Sequence, residues 1–170
     1  AGPIMSDGIL FSQTADGAIR ARDAFTGDLL WTRQIAMTGI YTGTPTVDNG
    51  MVYATFITAS GPYIYALDEY TGETVWATGP ETGMDYNEWT FMAAADGLVF
   101  GAAWSGEVFA LDAFDGSVVW TYQASAAPLG GATMSLGMLY IGTEDGRMLA
   151  LDELGGGLIW TQYLDALIWT

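Results

Sequence analysis

The stretch Asp68-Glu-Tyr-Thr-Gly-Glu-Thr-Val-Trp76 is one of four copies of a single short pattern in this 170-residue chain. The other copies run from Asp23 to Trp31, from Asp112 to Trp120 and from Asp152 to Trp160. Their tryptophans recur at spacings of 45, 44 and 40 residues. A nearly fixed period in this range is typical of a repeat protein, in which each repeat buries its faces against a neighbour.

Apolar runs alternate with turn signals within each repeat. In the third repeat the runs lie at 90–95, 98–103, 108–112 and 117–122, and Asp96-Gly97, Ser105-Gly106 and Asp115-Gly116 lie between them. Asp-Gly pairs tolerate positive φ and are typical of hairpins. No segment shows a sustained helical period. The sequence therefore predicts an all-β chain forming one domain, with four-stranded antiparallel repeats at about 2–34, 43–78, 90–124 and 131–163.

Three positions of the pattern are interpreted as structural. The aspartates are predicted to form turns by accepting backbone N–H groups, the glycines to supply positive φ, and the tryptophans to cover the neighbouring repeat while the indole N–H reaches a carbonyl there. The residues are Asp23, Asp68, Asp112 and Asp152, Gly27, Gly72, Gly116 and Gly156, and Trp31, Trp76, Trp120 and Trp160. A ring of metal-binding or catalytic carboxylates, or of ligand-stacking indoles, is the alternative interpretation.

The pattern resembles the PQQ-like β-propeller repeat with its tryptophan docking motif. Ile64 to Trp76 is close to an ideal copy, whereas Ala18 to Trp31 contains Ile-Arg-Ala-Arg-Asp in place of the usual Tyr-Ala-Leu-Asp. The resemblance covers almost the whole chain. It implies propeller blades, and since such rings usually close with seven or eight blades, four blades look like half of an eight-bladed ring. The same repeat serves dehydrogenases, assembly scaffolds and sensor domains, so it does not decide the activity.

Composition excludes several classes of function. The net charge is −16, with four Arg and no Lys, so no basic stripe is available for nucleic acid or for anionic lipid headgroups. Cys and His are absent, which removes disulfides, thiolate chemistry, imidazole catalysis and most zinc or haem sites. No apolar run approaches the roughly 20 residues that span a membrane. We therefore expect neither a nucleic-acid partner nor membrane insertion.

Residues that could carry chemistry are few. Glu81, Asp85 and Glu88 lie close together in sequence and are weak candidates for holding Ca²⁺, although their spacing matches no calcium loop. If the chain were an enzyme, the resemblance implies a PQQ-dependent quinoprotein dehydrogenase with Ca²⁺ or a lanthanide, a carboxylate base and cationic residues. These motifs have no residue-by-residue match here. We predict no catalytic residue and no cofactor, and PQQ and Ca²⁺ belong only to the alternative.

The last residues suggest assembly. The segment 166–170 nearly repeats 157–161, although the fourth repeat already has four strands. We expect 165–170, with Leu167, Ile168 and Trp169, to add to the sheet edge of another copy, or else to lie over its own chain. The open blade faces of a half-ring also predict a homo-oligomer or polymer. The half-ring could be completed by a second chain, by further blades of a longer parent protein, or by repeated addition into a fibre. A closed four-bladed ring is a further possibility.

These observations favour a non-enzymatic structural or interaction module that self-assembles, as an extracellular filament or scaffold. The alternative is a fragment or subunit of a PQQ-dependent dehydrogenase. Family resemblance, acidic composition and a chain that begins at Ala1 without Met indicate an extracellular or periplasmic location.

Overall fold

The computed structural model describes residues 2–36, 44–79, 82 and 91–164. In that part of the chain, sixteen strands form four antiparallel sheets of four strands each, with no α-helix. The all-β prediction is therefore confirmed. Among the described residues, no helical segment has the length and apolar composition of a membrane span. The predicted C-terminal strand at 165–170 lies outside the described residues.

Each sheet is one blade whose four strands neighbour one another in chain order. Blade 1 contains β1 (Ile4–Ser6), β2 (Ile9–Thr14), β3 (Ala18–Asp23) and β4 (Leu29–Gln34). Blade 2 contains β5 (Thr46–Asp48), β6 (Met51–Thr58), β7 (Gly61–Asp68) and β8 (Thr74–Thr78). Blade 3 contains β9 (Phe91–Ala95), β10 (Leu98–Ala102), β11 (Glu107–Asp112) and β12 (Val118–Gln123). Blade 4 contains β13 (Pro128–Ser135), β14 (Met138–Thr143), β15 (Arg147–Asp152) and β16 (Leu158–Tyr163).

The first hairpin of each blade has a two-residue turn with positive φ. In blade 1, Asp7 and Gly8 have φ of 45° and 78° and connect the paired residues Ser6 and Ile9. Two successive positive φ values are required by the type I′ turn, whose twist matches that of the flanking strands. Blade 4 uses Leu136 at φ 56° in place of an aspartate or asparagine, an uncommon choice for an apolar residue.

The third and fourth strands carry the same irregularity in every blade. The register shifts directly after an alanine, at Ala21, Ala66, Ala110 and Ala150, and each of these alanines pairs with the tryptophan of its own blade. All four alanines are fully buried. A small residue opposite the tryptophan leaves room for the indole, and the bulge reorients the chain just before the aspartate turn.

The chain divides into two compact units, residues 1–86 and 87–170, each containing two blades. In the first unit Phe11 and Ile19 of blade 1 share a core cluster with Phe56 and Leu67 of blade 2. In the second unit the corresponding cluster includes Phe100 and Val108 of blade 3 with Leu139, Ile141 and Leu151 of blade 4. Each unit is thus held together by apolar side chains from the facing surfaces of two consecutive blades.

One strand begins earlier than the sequence indicates. The fourth repeat is predicted above to begin at about residue 131, but β13 starts at Pro128, which pairs with Thr143. The register then shifts between Leu129 and Thr133, and Gly130 has φ of 69°. Proline is tolerated because β13 is an edge strand of its sheet. The glycines allow a β-bulge, which interrupts the alternating pattern by which a strand is recognised in the sequence.

Candidate functional site: the blade junctions

Trp31 joins the two blades of the first unit. Its indole Nε1 donates to the carbonyl oxygen of Glu69 in blade 2 at 2.9 Å, and its ring lies against Phe11 with centroids 5.8 Å apart. A Cβ on Gly72 would come within 2.7 Å of the indole ring, so only glycine fits beneath it. We call this combination of carbonyl and glycine the docking slot of a blade.

Trp120 joins the blades of the second unit in the same way. Its Nε1 donates to the Glu153 carbonyl oxygen at 2.9 Å, and its ring lies 5.9 Å from that of Phe100. A Cβ on Gly156 would approach the indole to 2.5 Å. Trp120 is only 7% exposed, so the indole is both hydrogen-bonded and almost completely removed from water.

The aspartate of each repeat shapes the docking slot of its own blade. The Asp23 carboxylate accepts the backbone N–H groups of Phe25 and Thr26 at 2.9 and 2.8 Å, and Asp68 accepts those of Tyr70 and Thr71 at 3.0 and 2.8 Å. These hydrogen bonds, with Thr26 and Thr71 contributing most, lower the pKa of both carboxyl groups below the usual value.

Asp112 and Asp152 occupy the same position in the second unit. Asp112 accepts the N–H of Phe114 at 2.7 Å, and Asp152 accepts the N–H of Gly155 at 2.6 Å. Because these carboxylates are occupied with backbone donors, they hold turns rather than face a shared site.

The remaining two tryptophans differ in exposure. Trp76 is 8% exposed and packs against Tyr53 with centroids 5.8 Å apart. Trp160 is 40% exposed, although its ring lies 5.9 Å from that of Tyr140, nearly the same spacing as the other repeat tryptophans have from their own aromatic neighbours. Its indole N–H has no acceptor among the described residues, and every residue of β16 is exposed. The expectation that each tryptophan covers a neighbouring blade therefore has no counterpart at Trp160 in this structure.

The glycines show the complementary difference. Gly72, Gly116 and Gly156 are buried, whereas Gly27 is exposed. A Cβ on Gly27 would meet no atom of the described residues within 4 Å. Blade 1 thus presents an open docking slot and blade 4 an exposed tryptophan.

Two buried glutamates at the junctions were missed by the sequence analysis. Glu69 is 1% exposed and Glu153 is 6% exposed. Burial, followed by the nearby carboxylate of Asp96, raises the pKa of Glu153 above its ordinary value. A signal was available, because the residue after the repeat aspartate alternates between alanine (Ala24, Ala113) and glutamate (Glu69, Glu153).

All four guanidinium groups have partners within the chain. Arg20 forms an ion pair with Asp16 at 2.5 Å, which lowers the pKa of Asp16 and raises that of Arg20. Arg22 donates to the Gly27 carbonyl at 2.9 Å. Arg33 donates to Thr74 Oγ1 at 3.1 Å, and Arg147 pairs with Asp145 at 3.1 Å. The arginines therefore do not converge on a common anion site.

The weak metal candidates Glu81, Asp85 and Glu88 lie outside the described residues. Within residues 2–36, 44–79, 82 and 91–164, no group of three or more acidic side chains is placed to hold a metal ion. Trp104, which could stack on a planar ligand, is 48% exposed beside a turn. The geometry of the described residues is therefore that of blade-to-blade docking.

Comparison with known proteins agrees with this geometry. Residues 1–81 and 60–167 match the family described as outer membrane protein assembly factor BamB. Among curated proteins, the chain is 27% identical over 117 residues to the quinohemoprotein alcohol dehydrogenase of Comamonas testosteroni. That match covers 63% of this chain and 16% of the dehydrogenase.

Solved structures share the fold. BamB from Moraxella catarrhalis superposes with a TM-score of 0.78 at 20% identity, over 95% of this chain and 48% of that one. The computationally designed Ika8 protein superposes with a TM-score of 0.78 at 18% identity, over 98% of this chain and 50% of Ika8. The chain thus spans about half of these structures and a smaller part of the curated dehydrogenase.

Proposed function

Because this chain belongs to the family described as outer membrane protein assembly factor BamB, we propose that it is a non-enzymatic propeller module whose function is to bind other protein subunits. The partners include further copies of itself, so that the module forms an oligomer or an extended scaffold. The fold is shared with both assembly factors and dehydrogenases, and the choice between them depends on the surfaces of the chain.

The observation that carries the proposal is the exposed outer surface of blade 4. Strand β16 reads Leu-Ile-Trp-Thr-Gln-Tyr, contains no charged residue, and is exposed throughout its length. The equivalent tryptophan of blade 3 is covered by its neighbouring blade through the Glu153 carbonyl. A contiguous uncharged surface that includes a half-exposed indole is typical of a protein interface.

The C-terminal segment is proposed to extend this interface. Leu167, Ile168 and Trp169 repeat the composition of β16 and would add as a strand to the sheet edge of a second copy. Outer strands offer unpaired N–H and C=O groups to such a strand.

The chemistry of the side chains supports binding rather than catalysis. The sequence contains no His and no Cys, and the repeat aspartates accept backbone N–H groups within their turns. A general acid or nucleophile needs a side chain free to reach substrate. The family description and the acidic, Lys-free composition favour a location outside the cytoplasm, in the periplasm or the extracellular space.

A second candidate function is a part of a PQQ-dependent dehydrogenase. The 27% identity to a quinohemoprotein alcohol dehydrogenase is the observation that favours it. Under this hypothesis PQQ and Ca²⁺ would bind in a larger protein to which these blades contribute.

Light scattering over a series of protein concentrations tests the proposal, with the chain lacking residues 165–170 measured in parallel. We expect mass to rise with concentration for the full chain and to stay at the monomer value for the shortened one. If the shortened chain still assembles, the segment 165–170 is not part of the interface, and the exposed surface of blade 4 alone would account for assembly. A monomer at all concentrations, together with saturable PQQ binding in the presence of Ca²⁺, would favour the dehydrogenase.

A further inference from the structure

We propose that Trp160 of one copy docks into the open slot formed by the Ala24 carbonyl and Gly27 of a second copy. This inference rests on the proposed self-association and names its contact. The two copies would meet head to tail, with blade 4 of one against blade 1 of the other.

The slot on blade 1 already has the backbone geometry of the blade 2 slot, which Trp31 occupies. Ala24 N–H donates to the Gly8 carbonyl at 2.8 Å, just as Glu69 N–H donates to that of Gly50 at 2.8 Å. Gly27 N–H donates to the Asp23 carbonyl at 2.9 Å, and the equivalent bond of Gly72 is also 2.9 Å. Since the carbonyl and the glycine are held by the same hydrogen bonds, the backbone of the slot need not rearrange for docking.

Trp160 is likewise held in the orientation of a docked tryptophan. Its ring makes an angle of 48° with Tyr140 at 5.9 Å. The docked Trp31 and Trp120 make angles of 43° and 44° with their own aromatic neighbours, at 5.8 and 5.9 Å. The indole is therefore preorganised, and docking would cost little side-chain entropy.

Arg22 distinguishes the open slot from the occupied ones. Arg22 directly precedes the repeat aspartate of blade 1. In the other blades this position is a leucine, and all three leucines, Leu67, Leu111 and Leu151, are fully buried. Leu67 belongs to the core cluster against which Trp31 packs. An arginine at the same position would face Trp160 of the second copy, and a guanidinium over an indole is a favourable cation–π pair. While the slot is open, the arginine keeps this surface solvated.

Charge favours this pairing of unlike ends. Blade 1 contains three of the four arginines of the chain against four acidic residues. Blade 4 contains one arginine, Arg147, against four acidic residues, Glu144, Asp145, Asp152 and Glu153. Two blade 4 surfaces would therefore repel each other more than blade 4 repels blade 1. The proposed junction between copies also lacks the pair of neighbouring carboxylates, Asp96 and Glu153, found in the second unit. Leu136 of blade 4 corresponds to Asp96, and Ala24 of blade 1 corresponds to Glu153.

Substitution at Gly27 tests the slot directly. Gly27→Asn places a side chain where the indole would sit, and asparagine tolerates the φ of +78° better than other residues do. Gly97→Asn is the matched control, since Gly97 has φ of +80°, is exposed, and has no described atom within 4 Å of its Cβ position. Sedimentation velocity should show association weakened at least about 10-fold by Gly27→Asn and unchanged by the control.

Two further variants keep the test decisive if Gly27→Asn folds poorly. Trp160→Ala and the charge reversal Arg22→Glu alter exposed side chains and should each weaken association by a similar factor. Mixing Trp160→Ala with Gly27→Asn should restore one-to-one pairs, because one variant retains the slot and the other retains the tryptophan.

These measurements distinguish self-association of the chain from the specific docking of Trp160 into the slot at Gly27. Wild-type association that survives Trp160→Ala, Gly27→Asn and Arg22→Glu would refute the slot while leaving self-association intact. Loss of association in both variants without restoration on mixing would refute the pairing of Trp160 with Gly27. A wild-type chain that stays monomeric over the whole concentration range would refute the slot and the proposed self-association together.

Discussion

Replacing Trp120 by alanine should destabilise the second unit far more than the same change at Trp160. Both tryptophans occupy the same repeat position and pair with an alanine of their own blade, Ala110 and Ala150. They differ in environment, because Trp120 is 7% exposed and bonded to the Glu153 carbonyl, whereas Trp160 is 40% exposed. Trp160→Ala is therefore an internal control for the intrinsic effect of removing an indole.

The difference can be worked out from burial and hydrogen bonding. An indole side chain presents about 200 Å², and Trp120 buries about a third more of that area than Trp160 does, or ~65 Å². At ~25 cal/mol per Å² this is ~1.6 kcal/mol, and the hydrogen bond to the carbonyl adds ~1 kcal/mol. Complete truncation of a buried tryptophan costs about 3–5 kcal/mol. We therefore expect about 4 kcal/mol for Trp120→Ala and about 1.5 kcal/mol for Trp160→Ala.

Urea unfolding followed by circular dichroism measures both values, at a protein concentration where the chain is monomeric. For m-values of about 1–3 kcal/mol per M, the two midpoints should differ by about 0.8–2.5 M. Equal losses of stability, within about 0.5 kcal/mol, would show that docking onto blade 4 contributes nothing to Trp120. That result would refute the docking slot as a source of stability.

Three other predictions follow from the junctions and turns. Burial raises the folded-state pKa of Glu153 above its unfolded value. Ionisation of this carboxyl group therefore destabilises the fold; the cost is absent below the unfolded pKa and grows as pH rises through the folded pKa. Glu153→Gln should accordingly raise the melting temperature at pH 7 but not at pH 4. A melting temperature that is unchanged at pH 7 would contradict this assignment. Gly72→Ala should destabilise by about 1–3 kcal/mol more than Gly27→Ala, since only the Gly72 Cβ meets an indole ring; equal effects in denaturant titrations would mean that strain at positive φ alone is responsible. Asp68→Ala should cost about 1 kcal/mol and Asp68→Asn less, because the amide oxygen of asparagine still accepts backbone N–H groups; matching losses in the two variants would show that charge rather than hydrogen bonding is important.

Local features of the fold were predictable because their causes lie within a few residues. Asp7-Gly8 and Asp96-Gly97 specify hairpin turns through backbone conformation alone. The strand at Pro128 was missed for the converse reason. Its bulge at Gly130 breaks the alternation from which strands are recognised, although pairing with Thr143 holds it in the sheet.

The candidate site was only partly predictable. The repeat identified which tryptophans and glycines could dock, but not which of them do, because all four copies carry the same aspartate, glycine and tryptophan. The alternation of alanine and glutamate at Ala24 and Glu69 was visible, yet its meaning depends on whether a second blade covers the carboxylate.

The repeat, the all-β class and the family are predictable from the order of the amino acids, since they depend on short patterns of turn, strand and aromatic residues repeated along the chain. The packing of the blades adds what these patterns lack: Trp120 is covered while Trp160 is exposed, and Gly156 is buried while Gly27 is open. The physical reason is that docking joins residues of different blades, far apart in the chain. Whether a particular indole loses its water depends on the surface placed beside it, and the local sequence does not record that surface.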